Sequence, residues 1–96
     1  MGDYRITTKA DSDLLDIARF TIRKFGVEQA RVYKDGLYNC FKALAKIPDL
    51  ARNASLYAPN LKRYIFKSHT IFFRPEENGI AIVRVLHQKM DFKRYF

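Results

Sequence analysis

The sequence has very little of several residue types that mark particular classes of protein. It contains no tryptophan and a single cysteine, Cys40, among 96 residues, which excludes an internal disulfide. No pair of Cys or His residues has the spacing of zinc ligands. No Gly-rich phosphate loop, nucleophile elbow or paired-carboxylate arrangement is present either. We therefore expect no metal, no cofactor, no small-molecule substrate and no catalytic residue.

Long apolar runs are absent as well. No run approaches the roughly 18 apolar residues that a membrane span requires, and the opening MGDYRITTKADSD lacks the apolar centre of a signal peptide. With 48% apolar residues, the chain has the composition and size of one small globular domain. We expect a single domain over residues 1–96, located in the cytoplasm and without a membrane partner.

Acidic residues are scarce in the second half of the chain. The whole sequence carries 18 Lys and Arg against 10 Asp and Glu, a formal net charge of +8. Residues 1–51 hold nine basic against seven acidic residues, an excess of +2, whereas residues 52–96 hold nine against three, an excess of +6. This imbalance favours an anionic partner, and a charge that serves only solubility is the alternative.

Helical periodicity dominates the first half. A short strand around Tyr4 to Thr7 precedes Thr8, which fits an N-terminal capping pattern with Asp11. A first helix is predicted from Thr8 to Gly26, which can take a left-handed capping conformation. The residues predicted to form its packing stripe are Leu14, Leu15, Ala18, Ile22 and Phe25.

A second helix is predicted from Val27 to Ile47. Because Gly26 alone separates the two helices, we expect an antiparallel helical hairpin. Gly36 within the second helix is interpreted as a close crossing of the helices. The predicted stripe of this helix is Ala30, Tyr33, Leu37, Cys40, Phe41, Leu44 and Ile47.

The pattern changes to that of strands in the second half. The segments LKRYIF (61–66), TIFFR (70–74) and IAIVRVL (80–86) are rich in β-branched and aromatic residues. Turn-forming KSH and PEENG separate them, so the sequence predicts a three-strand antiparallel meander. The whole order of elements predicts an α+β fold, in which the helical hairpin packs on one face of a small antiparallel sheet with the first strand at an edge.

The last predicted strand is apolar on both faces. Ala81, Val83 and Val85 point one way, and Ile80, Ile82, Arg84 and Leu86 point the other way. Since two helices cover only one face of a small sheet, we expect the second face to form an open apolar groove bearing Arg63, Arg74 and Arg84. The alternative is that the tail QKMDFKRYF (88–96) or the long connection PDLARNASLYAPN (48–60), which is rich in turn and coil formers, folds over this face.

The stretch SHTIFFRPEENGIAIVRVLHQKMDFKRYF resembles the C-terminal half of the ParE branch of the RelE/ParE toxin superfamily. The shared patterns are S-H-x-I-x-[YF]-R, G-I-x-I-x-R-[VI]-L-H and a terminal M-D. Upstream, Ala10, Asp13-Leu14 and Ile17, together with FGVEQARVYKDGL and LAKIPDLAR, match the helical part of that family. The resemblance covers nearly the whole chain, with departures at Ala51, where Gly is frequent, and at Lys62, where Leu-Arg is usual.

This resemblance implies a toxin of a bacterial type II toxin-antitoxin module that acts on DNA gyrase. The implied partner is a ParD-like antitoxin, which forms a hetero-oligomer with the toxin and connects it indirectly to operator DNA. The expected groove would receive the antitoxin, whose acidic side chains would match the arginines. The candidate antitoxin contacts are Arg63, Arg74, Ile80, Ile82, Arg84 and Leu86.

The closing segment QKMDFKRYF is the candidate gyrase contact. We expect Met90, Phe92 or Phe96 to anchor it on the domain, with Lys89, Lys93 and Arg94 facing outward; a frayed terminus is the alternative. The candidate gyrase contacts are Lys89, Met90, Asp91, Phe92, Lys93 and Arg94.

The sister RelE branch, whose members cut mRNA on the ribosome, supplies an alternative function. Such chemistry needs a base, an acid and cations beside the phosphate. The residues available for it are Arg63, Arg84, His87 and Tyr95. Residues 61–66 contain no carboxylate, and the tail does not resemble the ending of the interferases, so we favour binding over catalysis. We interpret His87 as a hydrogen-bonded, partly buried side chain and His69 as a turn residue.

A nucleic-acid-binding module is a third possibility. Single-strand binders interleave cations with aromatic residues, as this chain does at Lys62, Arg63, Tyr64, Phe66 and Lys67. Packing of helices on the sheet explains the aromatic residues more simply. A steep loss of affinity with salt would distinguish a direct binder.

Overall fold

The computed structural model describes residues 2–96 as two helices packed on a five-stranded sheet. The predicted α+β class, helical hairpin and C-terminal meander are confirmed. The strands follow the order β1-β5-β4-β3-β2 across the sheet. The elements are β1 (Asp3–Ile6), α1 (Thr8–Phe25), α2 (Val27–Lys46), a 3-10 turn (Pro48–Leu50), β2 (Arg52–Asn53), β3 (Lys62–Phe66), β4 (His69–Glu76), β5 (Gly79–His87) and a last 3-10 turn (Phe92–Tyr95).

The sheet is mixed rather than wholly antiparallel. β1 lies at one edge and runs parallel to β5, with Asp3 beside Gly79 and Ile6 beside Ile82. β3, β4 and β5 form the predicted antiparallel meander. At the other edge, the two-residue strand β2 pairs with β3 in a segment that was predicted as coil. The helical hairpin is therefore part of a crossover that leads from β1 to the meander.

Helix α1 begins as predicted, but its capping residue is Thr7 rather than Thr8. The Thr7 hydroxyl accepts a hydrogen bond from the backbone nitrogen of Ala10 (3.3 Å) and donates one to the carbonyl of Ile82 (2.9 Å). The local pattern could not distinguish the two threonines, because only a contact with β5 selects Thr7. This contact fixes the first turn of α1 against the sheet.

The face that α1 buries differs in part from the predicted stripe. Ala10 and Thr21 are buried, and Leu14 and Ile17 pack against the core. The predicted core residues Leu15, Ile22 and Phe25 are 51%, 44% and 61% exposed. The apolar stripe of α1 is wider than its contact with α2 and the sheet, so part of it faces solvent.

Helix α2 follows its predicted stripe closely. Leu37, Phe41 and Leu44 are fully buried, and Ile47 beyond the end of the helix is exposed. Gly36 marks a close approach to the sheet rather than a helix crossing, because a Cβ at this position would lie 2.5 Å from the Phe66 ring. Phe66 and Tyr64 pack against this helical side of the core, which accounts for the aromatic residues of β3.

A β-bulge between Phe72 and Phe73 changes the alternation of β5. Phe73 is opposite Ile82 and Phe72 is opposite Arg84, so Val83 has no partner of its own. As a result Val85 joins Ile80 and Ile82 in the helix-facing core, although it was predicted to point away from them.

The second face of the sheet is covered, so the predicted open groove is wrong. A separate apolar cluster lies there. The long connection contributes Ala54 and Tyr57 to it, and the tail contributes Phe92 and Tyr95. Its fully buried members from the strand region are Leu61, Phe72 and Leu86. The chain itself fills the space that was expected to await a partner.

The Asp13 carboxylate of α1 accepts hydrogen bonds from a part of β5 that has no partner in β1. It accepts them from the backbone nitrogen of Val85 (2.9 Å) and from Nε and Nη2 of Arg84 (2.8 and 2.7 Å). The Asp13 and Arg84 side chains are only 11% and 14% exposed. A buried N–H group without a hydrogen-bond partner destabilises the fold. The Asp13 carboxylate supplies the acceptor that a longer β1 would otherwise provide.

Candidate functional site

The tail after β5 is an ordered segment that returns to the sheet. The backbone nitrogen of Gln88 donates to the carbonyl of Ser68 (2.9 Å), and that of Met90 donates to the carbonyl of His87 (2.9 Å). Residues Phe92–Tyr95 then form the last 3-10 turn. These bonds direct the tail across the second face of the sheet, so the expected alternative of a frayed terminus does not describe this structure.

Aromatic contacts hold the tail in place. The rings of Phe92 and Phe96 lie 5.0 and 4.9 Å from the buried ring of Phe72, measured between centroids. Tyr57 from the long connection contacts all three rings at 5.9 to 6.0 Å. Each such pair contributes about 0.5–1.5 kcal/mol beyond the burial of its area. Of the predicted anchors, Phe92 packs in the apolar cluster and Phe96, although 38% exposed, is held by its ring contacts, whereas Met90 is 43% exposed.

Tyr95 connects the tail to the buried ion pair. Its ring centre lies 5.1 Å from the guanidinium carbon of Arg84, a cation-π distance. The hydrogen bonds that Arg84 donates to the Asp13 carboxylate raise the pKa of Arg84 above its ordinary value, although burial opposes this change. Arg84 is therefore charged, but its charge is matched by Asp13 and is not presented to a partner.

The outward side of the tail carries a cluster of cations. Lys89, Lys93 and Arg94 are exposed, as predicted, and so is Asp91. Among residues 2–96 four ion pairs are present, and none of them includes these cations. We name Lys89, Met90, Asp91, Lys93 and Arg94 the tail surface; Phe92 belongs to its inward anchor.

The six candidate antitoxin contacts do not share one surface. Ile80 and Ile82 are buried under the helices, and Leu86 is buried on the other face with the tail aromatics. Arg74 is half-buried and donates to the carbonyl of Pro59 (3.0 Å). Arg63, Arg74 and Arg84 are all partly exposed, and because Arg84 is paired with Asp13, Arg63 and Arg74 are the two arginines left for a partner.

A surface that was not predicted lies on the helical hairpin. The apolar side chains of Leu15 and Ile22 are exposed on α1, and Leu15 lines a cleft of about 230 Å³ between the two helices, which we name the hairpin cleft. Ala18 of α1 and Tyr38 of α2 also line this cleft. The sequence did indicate this surface, because the apolar stripe of α1 is too wide for one packing contact. The whole stripe was predicted to lie in the core.

The two histidines are brought together by the meander, where His69 pairs with His87 across β4 and β5. His87 is partly buried and accepts a hydrogen bond at Nδ1 from the backbone of Lys89 (3.1 Å), as predicted. His69 instead bonds Tyr33 of α2 (2.6 Å), a tertiary contact rather than the predicted turn bond. Burial and the neighbouring His87 lower the pKa of His69 to about 4.

The residues considered for mRNA cleavage are divided between the two faces of the sheet. His87 lines a cavity with residues of α1, whereas Tyr95 packs on the second face. Arg84 contacts Tyr95, and Arg63 lies on β3 opposite Phe72 of β4. The structure unites the Arg84 and Tyr95 side chains but places His87 apart from Tyr95.

Comparison with known proteins gives the family. Residues 4–92 match the model of the ParE toxin of type II toxin-antitoxin systems, parDE. The chain belongs to the ParE toxin family. A relative named toxin ParE1 from Mycobacterium tuberculosis is 34% identical over 92 residues, which cover 95% of this chain and 94% of the relative. Toxin ParE1 of Caulobacter vibrioides is 32% identical over 91 residues, with the same coverage of both chains.

Solved structures show the same fold. A chain of the chromosomal ParDE toxin-antitoxin system from P. aeruginosa superimposes with a TM-score of 0.77 at 20% identity, covering 91% of this toxin and 96% of that chain. A chain of the RelBE2 toxin-antitoxin complex from M. tuberculosis gives 0.66 at 17% identity, covering 91% and 98%. None of the helices described for this toxin is both long enough and apolar enough to cross a membrane.

The low pKa of His69 predicts an acid-dependent loss of stability. Folded toxin keeps His69 neutral down to about pH 4, whereas the unfolded chain protonates it near its ordinary pKa of 6.5. The free energy of unfolding should therefore fall as the pH drops from 6.5 towards 4, by roughly 2 kcal/mol for a partly solvated group. Urea unfolding of wild type and His69→Gln at several pH values measures this. Parallel curves for the two proteins over that window would show that His69 does not contribute.

Proposed function

We propose that this toxin inhibits DNA gyrase in the bacterial cytoplasm by binding, not by catalysis, and that a ParD-like antitoxin neutralises it. The observation that carries this proposal is the tail surface, whose free cations are held on a fixed aromatic anchor. A contact surface that is ordered before binding loses less conformational entropy when it meets a partner. Gyrase, or the DNA that gyrase holds, is the anionic partner that the family suggests.

In this proposal, different side chains of the tail hold it on the domain and contact gyrase. Phe92, Tyr95 and Phe96 contact the domain, whereas Lys93 and Arg94 between them face solvent. Substitutions of the two cations should therefore leave the fold intact. Complete removal of the tail would also uncover Phe72 and Leu86, so loss of activity in a truncated toxin would not distinguish contact from folding.

The antitoxin is proposed to occupy the hairpin cleft. This surface combines the exposed apolar side chain of Leu15 with the cation of Lys34, which lies over the Tyr38 ring, and Asp11 is the one carboxylate in its lining. An amphipathic segment of an acidic antitoxin fits both features. Arg63 and Arg74 remain secondary candidates for its carboxylates. Operator DNA would be reached indirectly, through the antitoxin.

The test of the gyrase proposal is a DNA-cleavage assay with purified gyrase, supercoiled plasmid and ATP. Wild-type toxin should accumulate linear DNA, and excess antitoxin should suppress it. The double variant Lys93→Gln/Arg94→Gln should need at least about ten times more toxin for the same effect, because losing two charge contacts of about 1 kcal/mol each weakens binding by that order.

The matched control is Lys42→Gln/Lys46→Gln, which removes the same charge from exposed positions of α2. It should resemble the wild type. Intact plasmid at an excess of wild-type toxin, with a known gyrase poison active in parallel, would contradict the proposal and direct attention to ribosome-bound mRNA. Equal loss in both double variants would show that net charge matters and the tail surface does not.

The antitoxin proposal predicts a separate loss. Leu15→Glu places a carboxylate in the hairpin cleft and should raise the dissociation constant for purified antitoxin at least about ten-fold, since an apolar contact is replaced by a desolvated charge. Titration calorimetry measures it. Ser12→Glu on the exposed part of α1 adds the same charge outside the cleft and should change the constant less than about two-fold. Unchanged binding by Leu15→Glu would exclude the cleft.

A further inference from the structure

A second cavity lies at the end of the domain, between the α1–α2 turn and the β3–β4 turn. Its volume is about 530 Å³, within the range of small-ligand sites. We name it the end pocket. The lining residues that matter for its chemistry are Phe20, Lys24, Phe25, Lys67, His69 and His87. Neither the tail surface nor the hairpin cleft includes these six side chains.

The end pocket is rich in hydrogen-bond donors and has no carboxylate in its lining. Lys24 and Lys67 take part in none of the ion pairs found among residues 2–96. Within that part of the chain, the hydrogen bonds of His69 and His87 use Nδ1, where Tyr33 and the backbone of Lys89 are the partners. For His87, whose Nδ1 accepts from the Lys89 backbone, Nε2 is the protonated nitrogen and can donate to a ligand. The proton between Nδ1 of His69 and the Tyr33 hydroxyl can sit on either partner. The lining thus combines two lysines with the imidazole donor of His87 and contains no carboxylate.

Exposed aromatic rings flank one of these cations. Phe20 and Phe25 are 49% and 61% exposed, and Nζ of Lys24 lies 5.6 and 6.0 Å from their ring centres. Bases stack on exposed rings of this kind while cations contact the adjacent phosphate. Exposed phenyl rings are unfavourable in water, so a ligand that covers them gains apolar contact as well as charge pairing.

The second cation, Lys67, lies in a turn with a strained backbone conformation. Lys67 has a φ of +52°, a conformation that glycine adopts more readily than a residue with a side chain. Its ammonium group lies 5.5 Å from the centre of the Phe66 ring. A lysine at a position that suits glycine points to a role of its side chain.

We propose that the end pocket binds a phosphorylated nucleoside unit. A phosphate group offers three strong acceptor oxygens for the ammonium and imidazole donors, and a base can stack on Phe20 or Phe25. A single carboxylate side chain would use fewer of these donors and would leave most of the cavity empty. The phosphate can come from a free nucleotide or from a nucleic-acid strand. This site is independent of gyrase binding by the tail surface.

The test follows the imidazole Cε1–H signals of the full-length toxin by NMR at constant pH and ionic strength. Adenosine 5′-monophosphate should shift both histidine signals in a saturable way, and adenosine at the same concentrations should not. Lys24→Gln and Lys67→Gly should each weaken this binding at least about five-fold. Lys42→Gln, a loss of the same charge on α2, should weaken it less than about two-fold.

Lys67→Gly also separates binding from folding. Because glycine suits a φ of +52°, this variant should unfold at a temperature no lower than the wild type while it loses affinity. A variant that loses both binding and stability would contradict the role of the Lys67 side chain. Retained affinity in a stable Lys67→Gly protein would contradict it equally.

Two further ligands identify the source of the phosphate. If a single-stranded hexanucleotide binds at least about ten-fold more tightly than the monophosphate, with a steeper salt dependence, the site takes a nucleic-acid strand. Equal affinities indicate a free nucleotide. The proposal is overturned if neither ligand gives saturable shifts, if Lys42→Gln is as damaging as Lys24→Gln, or if an acidic peptide binds and the monophosphate does not.

Discussion

The buried pair of Asp13 and Arg84 is the interaction on which the rest of the structure depends. One carboxylate accepts from the backbone of β5 and from the Arg84 guanidinium, so it fixes α1 against β5. Removing one partner of such a pair leaves an uncompensated buried charge, at a cost of roughly 3–5 kcal/mol. Arg84 in turn lies beneath the Tyr95 ring. A single ion pair therefore connects the helical layer, the sheet and the tail.

This connection explains how a chain of 96 residues supports two apolar clusters. The helical hairpin covers one face of the sheet. The long connection and the tail cover the second face with aromatic rings around Phe72. The polar and charged side chains of the tail are then left outside. The aromatic packing that forms the second cluster therefore also leaves the tail cations exposed to solvent.

Local patterns in the sequence predicted the helices and the meander, but they did not predict the surfaces of the folded chain. The helical hairpin and the meander follow from periodicity and turn residues within short windows. The bond from the Thr7 hydroxyl to Ile82 and the bond from Val85 to Asp13 join residues more than 70 positions apart, so no local pattern reports them. The predicted groove assumed that side chains alternate regularly along β5. The bulge opposite Phe72 and Phe73 reverses this alternation in the second part of the strand. The anchored tail was predicted because its aromatic and basic residues alternate over a short distance.

A double-mutant cycle tests most directly whether Arg84 couples α1 to the tail. Asp13→Asn and Tyr95→Leu, alone and together, would be compared by urea unfolding. Asp13 and Tyr95 each contact Arg84. If Arg84 joins them, the double variant should lose at least about 0.5 kcal/mol less than the sum of the two single losses. Losses that add to within about 0.3 kcal/mol would contradict the coupling and make the tail an independent appendage of the domain.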